Sequence, residues 1–148
     1  MKRAGRRAPG FCRDHALTDP ETTVLDSADA LATIAVKNLN AAKTFYEGKL
    51  GLKQAGARQE GTVTYSAGHS RVLVYESQFA GTNKATAMTW LVGDQVDAVV
   101  CALKGKGVSF EHYDLPGLTL RGDVHESGAM KAAWFKDPDG NIIAVVSG

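Results

Sequence analysis

The sequence predicts an α+β domain made of two tandem βαβββ modules. One observation is an internal repeat, because the strand-then-helix pattern around Val36 recurs around Val92, at an offset of roughly 56–57 residues. Another is the C-terminal segment, residues 131–146, where two apolar runs flank the turn Asp-Pro-Asp-Gly-Asn and indicate a β-hairpin. Neither copy of the repeat covers both faces of a sheet alone, so we expect the modules to share one core.

The first module begins with an apolar strand at residues 31–36. Asn38 or Asn40 then caps a helix that runs to about residue 50, and Gly51 ends it. The segment Ala67-Gly-His-Ser70 predicts a hairpin turn late in the module. Strands are therefore predicted after the helix at residues 52–58, 62–66 and 71–76.

The second module repeats this order. Residues 87–92 form an apolar strand, and a helix follows with apolar residues at helical spacing, namely Val96, Val99, Val100 and Leu103. Glycines at 105 and 107 end that helix, and residues 108–113 return as a strand. Residues 114–128 are predicted to form a long loop, with or without a short strand, before the closing hairpin.

The N-terminal part of the chain differs from the rest. Residues 1–13 carry several basic residues and no acidic one, and the stretch that follows is polar without a lasting apolar period. We therefore predict a mobile extension at residues 1–28 and a folded domain at residues 29–148. Within that domain, the two modules span about 29–79 and 85–148.

Composition limits the classes of partner. The formal net charge of +1 gives no electrostatic reason to expect nucleic acid or an anionic membrane as a partner. No apolar run approaches the roughly 20 residues of a membrane span. Cys12 and Cys101 share no metal or redox spacing, so we read both as reduced thiols and expect a cytoplasmic protein.

Two segments resemble the vicinal-oxygen-chelate (VOC) superfamily, which includes glyoxalase I, the bleomycin-resistance proteins and the extradiol dioxygenases. One is residues 36–52, with Phe45-Tyr and Leu50-Gly, and the other is Trp134-Phe-Lys-Asp-Pro-Asp-Gly-Asn-Ile142. A closer resemblance is to a glyoxalase-like subgroup without a settled activity, through residues 75–77, 80–83 and 110–117. The resemblance implies that the modules form a curved mixed sheet around a cleft, and that the chain is a homodimer.

In metal-dependent members of the superfamily, four side chains in the cleft hold a divalent ion. The resemblance puts those positions at apolar residues here, namely Leu31, Val72, Ala87 and Ala144. None of these, nor their immediate neighbours, is a normal ligand for zinc, nickel, iron or manganese. We therefore expect no metal and no other cofactor.

The residues that remain for a site are histidines and aromatics. We predict that Thr33, Phe110, His112 and Trp134 bind a ligand in the cleft. His112, His125 and Glu126 are weaker candidates for catalysis, since a histidine beside a carboxylate is able to act as a general base. The alternative interpretation is that the two histidines lie on unrelated exposed loops.

These expectations lead to two hypotheses about function. The first is a metal-independent protein that binds a small apolar or aromatic molecule in its cleft, as bleomycin-resistance proteins sequester a ligand. The second is a glyoxalase-like lyase or isomerase that uses histidine or glutamate instead of the family's metal. Whether the cleft lies within one chain or between two chains is open at this point.

Overall fold

The computed structural model describes residues 25–57 and 59–148. Within it, Leu31–Gly148 forms one compact unit. The predicted extension at residues 1–28 lies largely outside the described residues. In the described part of the chain, no helix is long and apolar enough to cross a membrane.

The order strand, helix, strands occurs twice, as predicted. The first module contains β1 (Ala32–Val36), α1 (Leu39–Lys43), β2 (Lys53–Gln54), β3 (Thr62–Ala67) and β4 (Ser70–Glu76). The second contains β5 (Thr86–Leu91), α2 (Val96–Gly105), β6 (Phe110–Glu111), β7 (Thr119–Arg121), β8 (Val124–Ser127), β9 (Met130–Lys136) and β10 (Ile142–Val146). Residues 114–128, predicted as a loop, thus contain the hairpin β7–β8.

The first helix is less regular than its sequence suggests. Asn38 caps α1, because its side chain accepts a hydrogen bond from the Ala41 amide at 3.0 Å. The helix then continues as a π-helical segment, Thr44–Lys49. This wider turn accompanies the burial of two consecutive aromatic residues, Phe45 and Tyr46.

The strands form two sheets. The first has four strands in the order β1-β4-β3-β2, and the second has six, in the order β5-β10-β9-β8-β7 with β6 paired to β9. In each sheet the module's first strand runs parallel to its last strand, and the other pairs are antiparallel. The shared pattern confirms the predicted duplication and the mixed character of the sheets.

One face of each sheet packs into a common core. Alternate residues point into it, with Ile34 and Val36 from β1 and Ile143 and Val145 from β10. The helices add a buried stripe to the same cluster, namely Ala42, Phe45, Tyr46, Val96, Val100 and Leu103. We call the opposite side of each sheet its open face, because the helices of the described chain pack on the core side.

The closing hairpin joins the two modules. Asp137 lies at the start of its turn and is buried, and its Oδ2 accepts a hydrogen bond from the Tyr46 hydroxyl at 2.8 Å. Its other oxygen, Oδ1, accepts from the amides of Asp139 and Asn141 at 3.0 and 2.9 Å. The Asn141 side chain donates to the Ala35 carbonyl at 2.7 Å. The predicted turn therefore also fixes β1 and the first helix to the second sheet.

Candidate functional site

The open face of the second sheet follows from its pairing register. Ala144 on β10 lies opposite Trp134 on β9 and Thr89 on β5, so these three side chains share a row on this face. The next row crosses β7, β8, β9, β10 and β5, and its residues are, in that order, Leu120, His125, Ala132, Val146 and Leu91. Leu91 is 73% exposed, whereas Ala144 and Ala132 are buried.

Trp134 crosses the middle of this face. Its indole Nε1 donates to the Thr86 hydroxyl at 3.2 Å, and Thr86 is on β5, on the far side of β10 from β9. The indole therefore extends across β10. Ala144 on that strand offers only a methyl group, which leaves room for the ring.

Three aromatic rings meet beside that tryptophan, and we refer to Tyr113, His125 and Trp134 as the aromatic cluster. The His125 and Trp134 ring centroids are 4.9 Å apart and the planes are near perpendicular, at 81°. Tyr113 lies 5.6 Å from Trp134 in a similar edge-to-face arrangement, and 6.3 Å from His125 with nearly parallel rings. Such geometries are favourable for aromatic pairs, so the cluster is a pre-formed wall.

His125 is held firmly in this cluster. The residue is only 1% exposed, and its Nε2 lies 3.0 Å from the Tyr113 amide nitrogen and 3.1 Å from the Tyr113 carbonyl oxygen. Its Nδ1 and the Tyr113 hydroxyl are buried and have no hydrogen-bond partner. Burial, reinforced by the charge of Glu111, raises the pKa of the Tyr113 hydroxyl, so the phenol stays protonated at neutral pH.

Two predicted ligand-binding residues lie elsewhere. Phe110 and His112 share a face of their strand, as alternation predicts, but Phe110 packs against the core, 5.6 Å from the Phe135 ring centroid. The reason is register, because β6 pairs with β9 so that Phe110 is opposite the core residue Phe135. The placement of Phe110 in an open cleft is therefore wrong.

His112 belongs to a polar group beside α2. Its Nε2 lies 2.7 Å from Asp123 Oδ1, while Lys104 Nζ contacts Asp123 Oδ2 at 2.6 Å. Hydrogen bonds from Lys104 and then from His112 hold the pKa of Asp123 below its usual range. His112 and His125 are thus engaged by different partners, and the structure does not bring them together as a catalytic pair.

Glu126 is also separate from His125. Its carboxylate is 2.9 Å from the Arg121 guanidinium and 3.7 Å from Lys131, and alternation along β8 points it away from the His125 side chain. The predicted His125-Glu126 pair is therefore not formed. Thr33 lies exposed on the open face of the first sheet, where its hydroxyl donates to the Leu31 carbonyl at 3.2 Å.

The family's metal positions supply no ligand atoms. Leu31 is 46% exposed and Ala144 lies on the open face of β10. Val72 points into the core, so its neighbour Leu73 is the open-face residue of β4, one position from the predicted register. Among residues 25–57 and 59–148, no three His, Cys, Asp or Glu side chains form a group that could hold a metal ion. The residues at these positions therefore do not fit a divalent metal.

Trp134 and His125 were candidates from the sequence, whereas Tyr113, the third ring of the cluster, was not. The signal for it is local, since Tyr113 directly follows His112 and must point to the opposite face of an extended strand. Its meeting with His125 depends on the β7–β8 hairpin, which the sequence did not predict.

Comparison with known proteins agrees with this architecture. A sequence model of the Glyoxalase/Bleomycin resistance protein/Dioxygenase superfamily matches residues 28–145. No curated protein sequence matches the chain.

Solved structures share the fold at low sequence identity. A glyoxalase family protein from Enterococcus faecalis has a TM-score of 0.63 at 18% identity, over 84% of this chain and 100% of that one. Lactoylglutathione lyase from Agrobacterium tumefaciens has a TM-score of 0.62 at 19% identity, over 84% and 96%. The fosfomycin resistance protein FosX from Listeria monocytogenes has a TM-score of 0.61 at 15% identity, over 82% and 93%. At these identities the likeness concerns the fold alone.

Proposed function

Because the chain belongs to the glyoxalase/bleomycin resistance protein/dioxygenase superfamily, we propose that it is a metal-independent member that binds a small apolar or aromatic molecule. The observation that carries this proposal is the open face of the second sheet. There Trp134, which belongs to the aromatic cluster, lies opposite Ala144, where metal-dependent relatives are expected to carry a carboxylate. Flat rings and buried methyl groups bind planar apolar molecules through burial and stacking.

Metal independence is argued from side-chain chemistry. Leucine, valine and alanine side chains have no lone pair to offer a metal ion, and all four family positions carry one of these residues. Elemental analysis of the purified protein tests this proposal. We expect less than one divalent ion per ten chains, and stoichiometric zinc, nickel, iron or manganese would contradict it.

Ligand binding is tested with the intact chain. We expect a planar aromatic probe such as naphthalene to raise the melting temperature and to be recovered unchanged. Trp134→Ala should weaken binding at least about tenfold, because the indole supplies the largest ring of the cluster. Trp90→Phe is the control, since Trp90 packs against the core and not on the open face. Equal loss in both variants would argue against this site.

We also propose a homodimer whose partner covers the open faces. Each sheet exposes large apolar side chains there, with Leu31 and Tyr75 on the first and Leu91, Leu120 and Met130 on the second. Exposed apolar faces are typical of protein–protein interfaces. In a dimer with a two-fold axis, each chain presents the same surface to the other, so the open faces of both chains are covered in one closed assembly. In such a dimer the cleft lies between chains, which completes the binding site.

Sedimentation of the purified protein tests the dimer. Leu91→Lys places a charge on the open face and should shift the equilibrium to monomer. Phe79→Lys is the matched control, because Phe79 is similarly exposed, at 70%, but lies outside the strands. A wild-type monomer at micromolar concentration would refute the dimer and leave a cleft within one chain.

A second function is favoured by one feature of His125. Its Nδ1 and the hydroxyl of Tyr113, whose ring lies 6.3 Å away, both have no hydrogen-bond partner, and a lyase or isomerase requires an acid and a base. In this alternative, product analysis would show conversion of a bound probe, and His125→Gln would abolish turnover while affinity stays largely unchanged.

A cytoplasmic location stays a prediction from the cysteine content.

A further inference from the structure

An apolar cavity lies on the core side of the second sheet, where the two modules meet, and we call it the junction cavity. Its volume is about 130 Å³, and every side chain that lines it is a leucine, valine, tryptophan or phenylalanine. Leu50 and Leu52 come from the first module, and Trp90, Val99 and Val145 come from the second. The cavity therefore belongs to the contact between the modules.

One sheet separates the junction cavity from the open face. Val145 and Phe135 line the cavity, and each directly follows a residue of the open face, namely Ala144 and Trp134. Because successive side chains of a strand point to opposite faces, the cavity lies behind the strands that carry those two residues. A ligand in the cavity is therefore distinct from the ligand proposed for the open face.

The junction cavity is accessible from the surface. Leu50, Trp90 and Val99 pack against the core, but each of them is only half-buried. Val145 and Phe135, which are 3% and 1% exposed, form the inner wall. The core is thus incompletely covered at this point, so a small molecule reaches the inner wall without unfolding of the chain.

The lining selects a neutral apolar occupant. None of the lining side chains carries a charge, and the indole N–H of Trp90 is the one polar side-chain group among them. A buried water molecule needs about two to four polar partners, which apolar side chains do not offer. A charged or strongly polar molecule would lose its hydration without gaining hydrogen bonds in return. The cavity therefore favours an apolar molecule over both.

The volume selects the size of that molecule. An engineered protein cavity of about 150 Å³, lined by leucine, isoleucine and phenylalanine, stays dry and binds benzene. The junction cavity has a similar lining and is slightly smaller, at about 130 Å³. One six-membered ring is therefore the expected size of the occupant, since two fused rings need more room.

We propose that the junction cavity binds a neutral apolar molecule the size of a single aromatic ring. Such a molecule would pack on the Phe135 and Trp90 rings and on the methyl groups of Val145. This binding site goes beyond the proposed function, because the two sites lie on opposite sides of one sheet and take molecules of different size.

The test compares benzene with neutral pyridine, which has nearly the same shape, by following the melting temperature of the full chain as each is added. The ring nitrogen of pyridine needs a hydrogen-bond donor, whereas benzene needs none. We expect benzene to raise the melting temperature and to bind about tenfold more tightly than pyridine, because burial of the unpaired nitrogen is costly. Equal affinity for the two probes would contradict an apolar site.

Val99→Phe tests the position of the site. The larger side chain fills the cavity from α2, so benzene should no longer raise the melting temperature, while the fold gains apolar contacts. Cys101→Phe is the matched control, because Cys101 is exposed and helical spacing puts it on the opposite side of α2 from Val99. A benzene response that persists in Val99→Phe would overturn the proposed position.

Methyl resonances of the wild-type chain give a readout that needs no variant. The ring current of bound benzene should shift the methyl resonances of Val145, which lines the cavity, and leave those of Leu120, on the open face, unchanged. Shifts at Leu120 without shifts at Val145 would put benzene on the open face, which overturns this inference and agrees with the proposed function. Shifts at neither residue would also overturn it, and the naphthalene experiment would still decide the open-face proposal.

Discussion

Tyr46 connects the first module to the closing hairpin of the second, and Tyr46→Phe tests how much that connection stabilises the fold. The hydroxyl donates to Asp137 Oδ2 at 2.8 Å, and both residues are buried. The substitution removes one oxygen atom and keeps the ring, which stacks with Tyr65 at a centroid distance of 6.0 Å. The free energy of unfolding therefore loses only the contribution of this hydrogen bond.

The expected cost follows from the charge of the acceptor. A hydrogen bond to a charged group contributes about 1.5–3 kcal/mol, more than one between neutral groups. Asp137 keeps three other donors, from the amides of Asp139 and Asn141 and from the Asn141 side chain. Because these still satisfy the carboxylate, we place the loss near the lower end, at about 2 kcal/mol.

Urea denaturation measures this loss. The midpoint should fall while the slope stays constant, since the surface exposed on unfolding is unchanged. Tyr75→Phe is the control, because Tyr75 lies on an open face and should change stability by less than about 0.5 kcal/mol. A Tyr46→Phe loss no larger than that of the control would refute the view that this hydrogen bond fixes the junction.

Three further predictions concern stability. Burial and then the Asp137 charge raise the pKa of Tyr46. The contribution of its protonated hydroxyl to the free energy of unfolding is therefore intact below a pH of about 10, and it declines above that pH by up to about 1.4 kcal/mol per pH unit. Tyr46→Phe should make the free energy of unfolding less dependent on pH in the alkaline range. Gly81→Ala should lower the free energy of unfolding by more than about 2 kcal/mol, because a Cβ there would lie 1.8 Å from the Asp139 carbonyl oxygen and the φ is +71°. Gly51→Ala is the control in the same urea assay, because Gly51 has a φ of +74° but open space around it, so this variant measures the backbone strain without the clash. Hydrogen bonds from Lys104 and His112 lower the pKa of Asp123, so this carboxylate stabilises the fold above a pH of about 4, and the stabilisation is lost as the pH falls. Asp123→Asn should therefore weaken the dependence of the melting temperature on pH on the acid side. Its loss in free energy of unfolding at neutral pH should be smaller than that of Tyr46→Phe.

The duplicated architecture was predictable because it depends on local signals. The apolar runs of β1 and β10, the Asn38 cap and the turn after Asp137 each act within a few residues. The β7–β8 hairpin was missed although Gly122-Asp123 separates two short alternating runs, which is a hairpin signal. The apolar side chains in those runs are sparse, so the loop interpretation prevailed.

The candidate site was harder to predict because it depends on pairing between distant strands. Alternation correctly put Phe110 and His112 on one face, but only the pairing of Phe110 with Phe135 decides that this face is the core. The same register sends Tyr113 to the other side, toward His125 and Trp134. A one-residue difference in pairing exchanges the two faces, and no local pattern fixes it.

Ala144 links the family signature to the proposed ligand. A glutamate at this position would put a carboxylate on a buried site opposite Trp134, beside the ring that extends toward Thr86. Such a charge is costly to bury without a partner, and the other family positions, being leucine, valine and alanine, bring no metal to neutralise it. The alanine and the tryptophan are thus complementary: the small side chain admits the ring, and the ring covers the place where a metal ligand would stand. This packing supports an aromatic-binding role for the face more directly than the absence of any single ligand does.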